Sequence, residues 1–124
     1  MNEPIFKEES YKIIGCFLEV HNELGPGFLE IVYKDALEIE FQLSNIPYSR
    51  EKLYDVFYKG KPTNRKYNAD FVIYDKIILE VKAFKRLSDD NLLQTLNYLK
   101  VTKLKLGILA NFGESSFNSK RVLF

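Results

Sequence analysis

The chain has 124 residues, of which 46% are hydrophobic and 15% aromatic, one domain's worth of material with enough Phe and Tyr to build a core that folds alone. Eighteen Lys and Arg against seventeen Asp and Glu leave a formal charge of +1, which excludes both an acidic solvating tail and a wholesale basic coat for nucleic acid. The one cysteine, Cys16, excludes an internal disulfide. With no signal-like start and no apolar run near the ~20 residues a bilayer demands, the expectation is a cytoplasmic protein with no membrane partner.

The near-zero total hides an asymmetry, because residues 1–62 hold seven basic and eleven acidic side chains while residues 63–124 hold eleven basic and six acidic. In one folded unit both halves pack together, so this predicts a surface with a basic side, set against the plainer reading of charges scattered in solvent. No repeat, low-complexity tract or linker interrupts the sequence, and residues 1–124 read as a single domain.

Ile13, Phe17, Val20 and Leu24 recur at helical spacing, with Ile14, Leu18 and His21 beside them, and predict a helix over about 7–24. Gly25-Pro26-Gly27 ends it, and Leu29, Val32, Tyr33, Ala36, Leu37, Ile39 and Leu43 predict a second helix that Ser44-Asn45-Ile46-Pro47 stops. From Tyr48 to Tyr58 the period becomes two, in the manner of a strand with one wetter face. Lys59-Gly60-Lys61-Pro62 reads as a break, and two β-rich runs follow, Tyr67 to Tyr74 and Ile77 to Ala83, so close that only a hairpin can join them. Ser88-Asp89-Asp90-Asn91 offers N-caps for a third helix that carries Leu92, Leu93, Leu96 and Leu99 and ends near Thr102. Lys105 to Phe112 reads as a short buried strand and Arg121 to Phe124 as a last edge strand. The predicted order is α-α-β-β-β-α-β, closing on that edge strand if it forms.

The informative anomaly is Ile77-Ile78-Leu79-Glu80-Val81-Lys82-Ala83, which sets a carboxylate and an ammonium two positions apart, on one face of an otherwise apolar strand. Ionised groups among core residues need a partner or a metal, unless this is an edge strand whose polar face looks at water. Asp70 enters the preceding strand ten residues earlier. A two-residue turn at Asp75-Lys76 would pair Phe71 with Glu80 and throw Asp70 onto the opposite face, so convergence of Asp70 with Glu80 and Lys82 predicts an odd-length turn or a bulge. Glu30 precedes Tyr33, Leu37 and Phe41 along an apolar line, although a carboxylate in the first turn of a helix is favoured by the dipole alone. Gln94 and Tyr98 project together at i,i+4, a spacing that ordinary surface hydrogen bonding also explains.

Glu, then Asp, then Glu-x-Lys, then Gln-x-x-x-Tyr in this order resembles the PD-(D/E)XK nuclease superfamily, with the motif order of its RecB and lambda-exonuclease-like members. More narrowly, Gly27-Phe28-Leu29-Glu30-Ile31-Val32-Tyr33 is similar to the pattern that names the GxxExxY protein family. The resemblance covers nearly the whole chain; its one departure is Ala69, not Pro, before Asp70. It implies an α/β domain with a restriction-endonuclease-like core, a mixed central β-sheet flanked by helices. It also implies a metal-dependent nuclease that cuts phosphodiester bonds, directed by nucleic-acid structure rather than sequence, with DNA ahead of RNA as partner.

On that resemblance Glu30, Asp70, Glu80 and Lys82 form the catalytic set. Asp70, Glu80 and the Val81 carbonyl hold Mg²⁺ or Mn²⁺, and Glu30 binds the same ion, a second one or a metal-bound water. Lys82 positions or deprotonates the attacking water, with electrostatic stabilisation the safer role because neighbouring carboxylates keep an ammonium protonated. Gln94, Tyr98 and Tyr33 support the site or hold the nucleic-acid backbone. Lys59, Lys61, Arg65 and Lys66, in a loop before Asp70, and Lys85 with Arg86 after Lys82, are placed for phosphates. His21 is a possible extra metal ligand in such nucleases, while its apolar line favours a packing role; Cys16 reads as a small buried hydrophobe. The competing reading is a nucleic-acid- or protein-binding module that keeps the scaffold without turnover. No zinc cluster, phosphate-binding glycine loop or Ser/His/Asp motif is present.

Overall fold

The computed structural model describes residues 4–124. Its elements are α1 (Lys7–Leu24), α2 (Glu30–Leu43), β1 (Tyr48–Tyr58), β2 (Lys61–Ile73), β3 (Ile77–Lys82), α3 (Asp89–Thr102), β4 (Leu106–Asn111) and β5 (Asn118–Leu123). The five strands lie in sequence order in one sheet, antiparallel except for β3 and β4, which run parallel because α3 crosses between them. This is the mixed α/β sheet flanked by helices that the sequence predicts, with the closing edge strand present.

Apolar side chains divide between the two faces. Ile13, Phe17, Val20, Tyr33, Leu37 and Phe41 of α1 and α2 pack on one face against Phe71, Ile73, Ile77, Leu79, Val81 and Ile108. On the other, Leu99 of α3 meets Tyr67, Ala69, Val72 and Ile78. Both faces of β3 and β4 are covered, hence their unbroken apolar runs. Ser88 caps α3 in a reciprocal box with Asn91, as its hydroxyl accepts from the Asn91 N–H and its own N–H donates to the Asn91 side chain.

One departure from the predicted elements and one predicted irregularity position the site. The segment expected as a loop, 61–66, is strand: β2 starts at Lys61, and Lys61, Arg65 and Lys66 ride on it beside β1. Pro62 and Asn64 are poor strand formers, yet they sit where β2 has only β1 as a neighbour, and a proline is tolerated at such an edge. Lys59 (φ 49°) and Gly60 (φ 78°) form the tight turn, the left-handed pair that matches strand twist. The β2–β3 turn has the odd length that convergence requires. Ile73 pairs with Ile77, Val72 with Ile78 and Phe71 with Leu79, leaving Tyr74, Asp75 and Lys76 as the turn, closed by Lys76 N–H donating to the Ile73 carbonyl at 3.1 Å.

Candidate functional site

One step beyond the Phe71–Leu79 pair, Asp70 comes opposite Glu80 and the β2–β3 ladder stops. The carboxylates take over the amides that the ladder releases: Asp70 N–H donates to Glu80 Oε2 at 3.2 Å, and Val81 N–H donates to Asp70 Oδ2 at 2.8 Å. β2 and its neighbour β1 change face here. Tyr67 and Ala69 look toward α3 but Phe71 and Ile73 toward α1 and α2, and Glu51, the β1 residue across from Asp70, has φ 56°. Two acidic side chains are thereby drawn to one point where β2 and β3 part.

Glu80 is 5% exposed. Tyr67 donates its hydroxyl to Glu80 Oε2 at 3.0 Å. Burial first, then the Asp70 charge, push the Glu80 carboxyl up to about 7, against the pull of its hydrogen bonds and of Lys82. The Tyr67 hydroxyl is in turn driven far above its usual range by burial and by Glu80. Tyr98 stacks on Tyr67 with ring centroids 3.8 Å apart, and burial and the same two carboxylates raise its pKa. Its support of the site passes through the Tyr67 ring, while Gln94 stands on the exposed side of α3.

Lys34, outside the motifs of the sequence, reaches in from α2. Its ammonium bonds Asp70 Oδ1 at 3.0 Å and also Glu51. Burial works against its charge, but the hydrogen bonds to Glu51 and Asp70 outweigh it and leave its pKa above the usual lysine range. The available signal was a lysine four residues after Glu30, followed at i+3 and i+7 by the fully buried Leu37 and Phe41. Glu30, half-buried at the start of α2, lines a cleft of about 560 Å³ with Phe28, Leu29, Ile31, Lys34 and Ala83. Lys34 thus links the cleft to Asp70.

Tyr33 is fully buried and stacks on Phe112 at 4.7 Å. Its hydroxyl donates to the Gly25 carbonyl at 2.6 Å and accepts from Phe28 N–H at 3.2 Å, so it clamps the turn that delivers Glu30 and cannot touch a substrate. Gly27 in that turn has φ 113°, a glycine conformation. Lys82 is half-buried, its carbonyl accepts from Phe112 N–H at 2.8 Å, and its ammonium lies 5.9 Å from the Phe84 ring centroid. The chain beyond is held by Asn111, fully buried, which bonds both the N–H and the carbonyl of Phe84. Lys85 and Arg86 follow, exposed.

His21 does not join the carboxylates. It is buried against Phe112 and Phe117, with Nε2 bonded to the Glu114 carbonyl at 2.9 Å; the packing role that its apolar line suggests is the one it has. Cys16 is buried, and burial raises its thiol pKa. Among the described residues no three His, Cys, Asp or Glu side chains converge as a ligand group, so Glu30 stays apart from the Asp70–Glu80 pair. Two carboxylates still fit Mg²⁺ or Mn²⁺, hard ions that accept one or two such ligands and keep several waters. Burial first and the Asp70 charge second disfavour the ionised Glu80, and a cation beside the pair would offset both.

A family model of the PD-(D/E)XK nuclease superfamily matches residues 7–122. Among solved structures, the fold is similar to the crystal structure of SSO0001, with TM-score 0.60 and 19% identity over 95% of this chain and 59% of that one. It is also similar to an alkaline exonuclease, LHK-Exo, from Laribacter hongkongensis, with TM-score 0.54 and 8% identity over 99% of this chain and 72% of that one. This chain therefore spans about three fifths of SSO0001. No curated protein matches the sequence. No helix among the described residues is long and apolar enough to cross a membrane.

Proposed function

The chain belongs to the PD-(D/E)XK nuclease superfamily, and from that premise we propose that it is a Mg²⁺- or Mn²⁺-dependent nuclease cutting phosphodiester bonds of DNA, directed by strand structure rather than base sequence. The observation that carries the reading is the break in the β2–β3 ladder, where Asp70 and Glu80 replace backbone partners and crowd negative charge in a buried place. Asp70 and Glu80 would hold the ion, with the Val81 carbonyl beside them. When bound, the ion supplies charge neutralisation at the phosphate and a more acidic water.

This chain's own side chains then have distinct tasks. Lys82, on the same strand face as Glu80, places an ammonium toward the charge that grows on the phosphate; a compact cation there is worth most when water is excluded. Tyr67 orients Glu80 by its hydrogen bond. Glu30 opens onto the cleft beside Lys34, where it can accept a hydrogen bond from water or bind a second cation. Lys85 and Arg86 offer charge to flanking phosphates.

One observation favours the competing reading of a silent binding module: Lys34 already neutralises Asp70. Incubation with labelled single- and double-stranded DNA and RNA in Mn²⁺, Mg²⁺ or EDTA separates the two. Metal-dependent cleavage that falls at least ~100-fold in Asp70→Ala, Glu80→Ala and Lys82→Ala supports the nuclease. Nucleic-acid binding without cleavage in either metal would leave the module.

A further inference from the structure

We infer that the β1–β2 hairpin arm is a docking surface for single-stranded nucleic acid, reaching the carboxylates along the α3 side of the sheet; this rests on the nuclease reading and names how its substrate is held. The arm outruns the rest of the sheet. β2 leaves β3 at Phe71, whereas β1 and β2 go on pairing with each other to Tyr58 and Lys61. Over 52–69 it carries Lys52, Lys59, Lys61, Arg65 and Lys66 against one acid, Asp55, which Lys66 pairs.

Across from the arm, the C-terminal end of α3 adds Lys100 and Lys103. With Val56, Phe57 and Val101 they line a groove of about 220 Å³. Phe57 is 63% exposed and Tyr58 66%, large rings left in water among cations. That combination suits a strand with unpaired bases, which presents phosphates to lysines and free π-faces to aromatic rings; a duplex keeps its bases stacked on each other.

The groove and the candidate site adjoin one aromatic cluster. Val56, Tyr54, Tyr67 and Tyr98 pack in one cluster on the α3 side, the Tyr54 and Tyr67 rings lie stacked at 6.1 Å, and the Tyr67 hydroxyl is on Glu80. Phe57 pairs with Pro62, five residues before Tyr67 on β2. At ~3.3 Å per residue the path is roughly 17 Å, room for a few nucleotides between the groove and the carboxylates.

Fluorescence anisotropy of the full chain in EDTA, where metal-dependent cutting is silent, tests this with a labelled oligothymidine 12-mer and a blunt duplex of the same length. Phe57→Ala should weaken single-strand binding roughly 5- to 100-fold and leave the salt dependence unchanged. Lys100→Gln with Lys103→Asn, the Asn chosen because Lys103 has φ 66°, should lower the slope of log affinity against log salt by about 1.4. Circular dichroism checks that each variant folds. Wild-type affinity in these variants, with binding lost instead in Lys85→Ala/Arg86→Ala, would confine the nucleic acid to the mouth of the site and overturn the arm. Equal losses on duplex would overturn its preference for single strands. Absence of any wild-type binding would overturn it as well, while metal-dependent cleavage separately decides the nuclease reading.

Discussion

Glu80 is 5% exposed and shares its surroundings with the Asp70 carboxylate, so its proton links the site to the stability of the fold. Burial and Asp70 raise its pKa from 4.5 to about 7. A carboxyl raised by folding holds its proton more tightly in the native state, so its contribution is most favourable below about 4.5, is lost as pH climbs to about 7, and is constant above that. The loss is on the order of 3 kcal/mol. Glu9, Glu38 and Glu114 are lowered instead, chiefly by hydrogen bonds from a backbone N–H, Tyr48 and Asn118 respectively, and they weaken the fold only at more acid pH. Glu80→Gln keeps an oxygen for Tyr67 and for Asp70 N–H but cannot ionise. Urea unfolding in EDTA at pH 5 to 8 should show the variant gaining on wild type up to about pH 7 and then holding a constant lead; parallel curves throughout would refute the buried charge.

At the scale of elements, the segment after β3 decides where Lys82 stands. A Cβ on Gly113 would lie 2.3 Å from the Phe84 carbonyl oxygen and 2.6 Å from the Ala83 carbonyl carbon, and backbone cannot move aside as a side-chain tip can. Gly113→Ala should therefore cost at least the ~1–3 kcal/mol of an overpacked core, displace residues 83–84, and lower cleavage more than its loss of stability explains; thermal melts and single-turnover cleavage measure both. This dependence on β4 was not legible in the sequence, because Asn111 and Gly113 read only as the end of an apolar run. The helices were legible, since α1 and α2 each present one face to the sheet and their spacing shows it. So was the turn parity, as pairing arithmetic alone demanded an odd turn if Asp70 and Glu80 were to meet. The strand nature of 61–66 was hidden because β1 supplies the pairing and no core contact marks it. Lys34 lies on the apolar line of Leu37 and Phe41, but its partners were hidden, because a long-range ion pair with Glu51 and Asp70 leaves no local period.

For the whole molecule, the charge asymmetry of the sequence becomes a division of labour. The acidic excess lies in the first 62 residues, much of it on α1 and α2, while the basic excess of the remainder is carried on β2, the segment after β3, the α3–β4 connection and β5. The carboxylate pair sits where β2 and β3 part, so ion binding ties together strands whose own ladder has ended there. A ligand that binds only the folded chain stabilises it by about 2.7 kcal/mol at a hundredfold excess over Kd, and for a chain of 124 residues that raises Tm by roughly 10 °C. Differential scanning fluorimetry with Mn²⁺ should show such a rise for wild type, none for Asp70→Ala or Glu80→Ala, and an undiminished one for Lys82→Ala, since removing a nearby ammonium relieves repulsion with the ion. A Tm that Mn²⁺ leaves unmoved in wild type would mean that Lys34 holds the cation position on Asp70, and an equal rise in all four proteins would place the ion elsewhere.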